Sequence, residues 1–188
     1  LHRIDQPCSG LVVLGKTTKA CQRIQPLWRD GKVKKTYLVV LSQPHAQSHG
    51  WSNLEGHMII TSKKSLGSHK QAVQFTNEPY PNTKHCQMRY RSLSPTLLQV
   101  STNQGARHMV RALLHFHGYR LAGDLRYGAN RALEDHSVAL HAFSIVFPNE
   151  LSLGDLEQKY FEAPIPATWE QYFGITQDHV NGWRKEKP

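Results

Sequence analysis

After a series of strand-length runs the apolar period switches to a helical one at Ala106, and that switch bounds the folds open to this chain. QAVQF at 71–75, QMRYRSL at 87–93 and TLLQVST at 96–102 are strand-length runs, the last two joined by a turn at Ser94-Pro95. From Ala106 to His117 the apolar residues Met109, Val110, Leu113, Leu114 and Phe116 recur instead at helical spacing, and Gly118 supplies the stop. LVVLG at 11–15 reads as a buried strand, TYLVVL at 36–41 as a second, and SVALHAFSIVF at 137–147 as a long one. KTTKACQRIQPLWRDGK reads as a helix entered through Thr17 or Thr18 and ended by Gly31. Pro26 removes one backbone hydrogen bond and crowds the preceding turn, so a kink or restart is expected there. Residues 42–70 read as a long polar excursion carrying the short strand HMII, GDLRYGAN at 123–130 as a loop, and ATWEQYF at 167–173 as a short helix. Non-adjacent strands with a few helices predict an α+β fold on a mostly antiparallel sheet.

A chain of 188 residues makes one ordinary domain, which buries about 70% of its unfolded surface without staples. Cys8, Cys21 and Cys86 are odd in number and lack Cys-x-x-Cys spacing, so a reducing, intracellular setting is expected, in cytoplasm or mitochondrion. No stretch approaches the roughly 18 to 20 apolar residues that cross a bilayer, so no membrane partner is expected. Lys and Arg number 23 against 14 Asp and Glu, a net charge of +9, which suits a polyanionic partner. The cations are scattered, in RDGKVKK at 29–35, at Lys63 and Lys64, and in RKEK at 184–187, as a folded basic groove requires. Leu1 already stands inside a motif, so residues ahead of it are expected to be missing, and any targeting peptide with them.

Familiar catalytic patterns are missing. His115 and His117 are two apart and point opposite ways on a helix, and neither a His-Glu-x-x-His nor a Gly-rich phosphate loop occurs, so no metal is expected. Ser9 stands in CSGL, not in a Gly-x-Ser-x-Gly elbow, and reads with Gly10 as turn and strand entry. What remains is LHRID, with Arg3 and Asp5 ahead of an apolar run, together with Tyr37, Arg111 and the Gly123-Asp124 pair. Taken as residues alone, Asp5 is also a strand-end cap with Arg111 as structural partner, and Tyr37 an aromatic of the core.

The order of these pieces resembles the RluA-type RNA pseudouridine synthases. The resemblance runs through LHRIDQPCSGLVVLGKT at 1–17, KKTYLVVL at 34–41, QGARHMVRALLHFHGYRLAGDLRYG at 104–128, ALHA at 139–142 and FEAPIP at 161–166. It implies the pseudouridine synthase α+β core over residues 1–175, with a basic C-terminal tail over 176–188 and a cleft that holds the target uridine. It makes Asp5 the acid on which activity depends, Arg111 its basic partner and Tyr37 the ring that stacks on the base. Arg3 becomes an RNA contact, with His2, Lys35, Arg107 and His108 beside it. His2 also reads as orienting a backbone group, and Asp124 as fixing its loop with no part in the chemistry.

The implied reaction breaks the N1–C1′ bond of uridine, rotates the uracil and rejoins it through C5, which needs no cofactor. A carboxylate serves as nucleophile at C6 or at C1′, or as a base on the sugar, and the sequence leaves all three routes open. Each needs Asp5 ionised, which a neighbouring arginine favours. The base must leave its stack, and a ring with a guanidinium offsets part of that cost. Gly105-Ala106-Arg107-His108-Met109-Val110-Arg111 departs from the family's Gly-Arg-Thr-His-Gln-Ile-Arg at four positions, losing an arginine at 106 and a glutamine at 109 and gaining an arginine at 107. On a helix Arg107 replaces the missing arginine only if the helix start shifts. Two functions are therefore carried forward: an enzyme acting on ribosomal RNA ahead of transfer RNA, and a weakened homologue that binds RNA within a ribosome precursor.

Overall fold

The computed structural model describes residues 2–47, 50–60, 72–149 and 159–184. Lys63, Lys64 and all but the first residue of RKEK lie outside them. Among the described residues eight strands form one sheet: β1 (Ser9–Gly10), β2 (Lys34–Val40), β3 (Ser52–Ile59), β4 (Phe75–Thr76), β5 (Thr83–Ser94), β6 (Leu97–Thr102), β7 (Leu140–Val146) and β8 (Tyr160–Glu162). Their order is β1-β7-β2-β6-β5-β3-β4, with β8 also on β7, and every pairing is antiparallel except β1 with β7. The expected α+β class with a mostly antiparallel sheet is what the chain forms.

Strand alternation divides the core by face. Val39, Leu98, Val100, Met88 and Leu54 pack under α2 (Met109–Phe116), whose residues Met109 to Leu114 are all buried. Leu38, Val40, Leu97 and Phe143 pack on the opposite face against Trp169 of α3 (Ala167–Phe173) and Val180 of α4 (Gln177–Arg184). The stretch expected to be a basic tail from 176 thus contributes a helix to the core. A third cluster joins Ile24 of α1 (Thr18–Arg29) to Val33, Ile145 and Phe147.

Several elements differ from their sequence reading, each for a local reason. LVVLG is not a buried strand: pairing stops at Gly10, whose φ of +115° turns the backbone out of the ladder. Leu11 and Val13 still pack on the third cluster, while Val12 and Leu14 are 44% and 79% exposed. The first three residues of HMII end the longer β3, and the strand expected from Ser137 begins at Leu140. Helix α1 runs unbroken through Pro26, which lies in its last turn, and Thr17 caps it by accepting the Ala20 N–H at 3.1 Å. The expected helix from Ala106 starts instead at Met109, because His108 takes a left-handed conformation at φ 55°. Arg107 therefore precedes the helix, and the four-residue spacing to Arg111 is not a helical one.

Candidate active site

Three connections converge on one face of the sheet. Before β1 the chain makes a tight turn in which the Cys8 N–H donates to the Asp5 carbonyl at 2.9 Å. The Val138 N–H then donates to the Pro7 carbonyl at 2.7 Å, so the Asp5 turn is fastened ahead of β7. From the opposite side α2 delivers Arg111, and the 3-10 turn Leu125–Tyr127 follows Asp124.

Arg111 organises the centre. It is 4% exposed, and its Nε and Nη2 donate to the two carboxylate oxygens of Asp124 at 2.7 and 2.8 Å. Its Nη1 donates to Asp5 Oδ2 at 3.0 Å. The guanidinium also lies over the Tyr127 ring, 5.2 Å from its centroid. Burial opposes the Arg111 charge, but the hydrogen bonds and field of Asp124, then of Asp5, outweigh it and raise the pKa. Asp124 is 1% exposed, so its carboxylate serves the arginine rather than solvent.

His108 closes the other flank, its Nε2 3.8 Å from Asp5 Oδ1. Burial holds its pKa down to about 4 against the pull of Asp5, so the ring is neutral near pH 7. The Tyr127 hydroxyl accepts the Val73 N–H at 2.9 Å and lies 3.0 Å from His108 Nδ1.

Around this centre is an outer cleft of about 870 Å³, leading to a recess of about 70 Å³. Arg3, Asp5, Tyr37, Gly105, His108 and Arg111 line both. Tyr37 reaches the recess from β2, and burial pushes its hydroxyl up to about 12, so it presents a neutral ring. Cys8 lies in the recess with its thiol pushed up to about 12, again by burial, and is inert as a nucleophile. Arg3 and Arg107 are exposed at the outer cleft.

Every residue named from the sequence lines the outer cleft, though two have other engagements. Lys35 is 4% exposed and donates from Nζ to the Asn103 carbonyl at 2.9 Å, and burial lowers its amine to about 8. His2 stacks on Trp28 at 4.5 Å and its Nδ1 accepts the Val13 N–H at 3.3 Å. Its pKa is lowered to about 4 by burial and by Lys35, so it orients a backbone group, as one of its two readings held. Sequence reasoning set Asp124 outside the site and missed Tyr127 and Arg126. Their signal was the DLRY run after Gly123, on which a single turn places all three.

Comparison with known proteins agrees with this geometry. The RNA pseudouridylate synthase family matches residues 1–116. The tRNA pseudouridine synthase C of Vibrio parahaemolyticus is 23% identical over 92% of this chain and 74% of its own. The ribosomal large subunit pseudouridine synthase C of Vibrio cholerae is 26% identical over 91% of this chain and 53% of its own. This chain spans about half the length of most such relatives. Human RNA pseudouridylate synthase domain containing 1 superposes over 100% of this chain and 80% of its own, with a TM-score of 0.69 at 17% identity. The matched residues carry Asp5, Tyr37 and Arg111 into one recess, and with the shared fold they show that the chain belongs to the RNA pseudouridylate synthase family, of the RluA type.

Proposed function

We propose that the chain isomerises specific uridines of RNA to pseudouridine. The observation that carries this reading is the Asp5 carboxylate, held by Arg111 at 3.0 Å where a cleft of about 870 Å³ leads to a recess under the Tyr37 ring. Asp5 is the catalytic group, as nucleophile or base. Arg111 aims it, since two of its nitrogens are committed to Asp124 and one to Asp5. Tyr37 takes the face of the extruded uracil, and Arg3 and Arg107 take phosphates of the flanking strand, with the Lys35 charge, held at the Asn103 carbonyl, adding to the positive field.

The departures in the 105–111 segment fit this reading. Met109 lines the recess with an almost fully buried apolar side chain that packs on the core under α2. Arg107 stands ahead of the helix on the cleft, free of the helical constraint on its direction. The substrate is ribosomal RNA ahead of transfer RNA, in an intracellular setting, with a ribosome precursor as the assembly it would meet. The names of the relatives include both RNA classes, which supports offering each of them.

The test offers ribosomal and transfer RNA to the purified protein and reads pseudouridine by carbodiimide derivatisation. The wild type is expected to form it, and Asp5→Asn to form none while binding RNA within about twofold of wild type. Zero product from both proteins on every RNA offered would replace the enzyme by an RNA-binding homologue.

A further inference from the structure

The opposite face of the sheet carries a second groove, of about 830 Å³. Its floor is one row of cross-strand neighbours: Asn53 faces Arg89, Arg89 faces Ser101, Ser101 faces Thr36, and Thr36 faces Ser144. The three central positions are small, which makes the groove concave where α3 and α4 leave the sheet uncovered. Thr36, Ser101 and Ser144 are 8%, 9% and 5% exposed, and no hydrogen bond among the described residues takes their hydroxyls. Buried hydroxyls lined up at strand spacing and left to a partner are unusual on a sheet face.

At one wall Trp51 lies beside two arginines, with the Arg89 and Arg91 guanidinium carbons 5.3 and 5.4 Å from its ring centroid. Arg91 is held there by donating from Nε to Gln99 Oε1 at 2.6 Å. Lys34 adds a third cation to the lining. The row continues to one carboxylate, Glu162 of β8, which accepts the Tyr160 O–H at 2.5 Å. A ring flanked by cations above hydrogen-bonding hydroxyls matches one kind of polymer, in which flat bases alternate with phosphates and riboses.

We infer that this groove binds a single-stranded RNA segment, with a base stacked on Trp51 and phosphates at Arg89, Arg91 and Lys34. The segment belongs to the same RNA that enters the catalytic cleft. Gln104 lines both the cleft recess and this groove, so the two are contiguous around the connection from β6 to α2. Inside the groove the Gln104 side chain accepts the Gln87 N–H at 2.8 Å, which fixes that connection to β5. The inference rests on the RNA reading of the cleft and adds a strand path to it.

Fluorescence anisotropy of a labelled oligouridylate of about twelve nucleotides tests the groove. Trp51→Ala and Arg89→Glu should each weaken binding about tenfold, the scale of one lost stacking or phosphate contact, and Trp51→Phe should restore most of it. A labelled polyglutamate carries charge without rings and should lose no affinity through Trp51→Ala. If Trp51→Ala and Arg89→Glu both bind RNA within twofold of wild type, or if polyglutamate and RNA lose equally, the groove is no RNA path. Pseudouridine formation by the wild type is read separately. Product with unaffected groove variants would sink this inference alone, and weakened groove variants without product would sink the enzymatic reading alone.

Discussion

Asp124 holds the arginine that reaches Asp5. Its carboxylate takes two of the three Arg111 nitrogens that are bonded in the centre, and both groups are almost fully buried. Removing one partner of such a pair leaves the other charge uncompensated, so Asp124→Ala should lower stability by about 3–5 kcal/mol. Asp124→Asn keeps an acceptor, and should fold while losing about tenfold in kcat with RNA affinity within twofold, as Arg111 loses its aim at Asp5. Denaturant titration and single-turnover kinetics measure the two effects. Equal kcat in Asp124→Asn would reduce the residue to fixing its loop, which is how the sequence read it. Asp5, Tyr37 and Arg111 were legible because each sits in a motif of its own; the service of Asp124 and Tyr127 to Arg111 was not, since burial of a carboxylate is settled by tertiary packing.

Lys35 adds a pH dependence at the same scale. Burial takes its amine from an ordinary 10.5 to about 8, so between those values the unfolded chain binds the additional proton. Stability from this group therefore rises as pH climbs from 8 to 10.5, because a buried charge that costs free energy below pH 8 is relieved. RNA binding has the opposite sign, since the cation is lost through pH 8. Affinity for oligouridylate should fall a few fold more between pH 7 and 9 in wild type than in Lys35→Arg, whose charge persists. Identical profiles would mean that Lys35 acts through the Asn103 carbonyl alone.

Among the elements, β1 is two residues long and yet anchors the turn that carries Asp5. Gly10 has φ +115°, and a Cβ there would lie 2.3 Å from the Ala142 carbonyl oxygen, a backbone atom that cannot step aside. Gly10→Ala therefore strains the backbone and parts β1 from β7, and should cost more than about 2 kcal/mol with a larger proportional loss of product formation. A thermal melt beside the derivatisation assay separates the two, and unchanged activity would show that the Asp5 turn is held elsewhere. The same glycine explains why LVVLG misled: apolar, β-branched composition reports the strand propensity of Leu11 to Leu14, whereas a positive φ at residue 10 decides whether the ladder continues. The later start of α2 has the same character, since the left-handed turn at His108 is secured by Tyr127, which lies 19 positions away.

At the scale of the molecule, one sheet separates a helix-covered cleft face from a grooved face, and strand order could not be read from runs of apolar residues because pairing is a long-range choice. Charge was legible as a total of +9, and the fold decides where it acts. Arg3, Arg107 and Arg126 stand exposed on the cleft, whose two carboxylates in the centre, Asp5 and Asp124, are both bonded to Arg111. Each phosphate that such a side chain neutralises releases a counterion, so log affinity falls linearly with log salt, by about 0.7 per contact on a single strand. Replacing Arg107 by Gln should flatten that slope by about 0.7, and replacing all three arginines should flatten it by about 2, with the weakening uniform across RNA sequences. Arg29, which sits at the end of α1 and pairs with Asp30 at 3.3 Å, is the control whose removal should leave the slope unchanged. If Arg29→Gln flattens the slope as much as Arg107→Gln, the protein attracts RNA through its net charge and the cleft has no privileged hold on the phosphates.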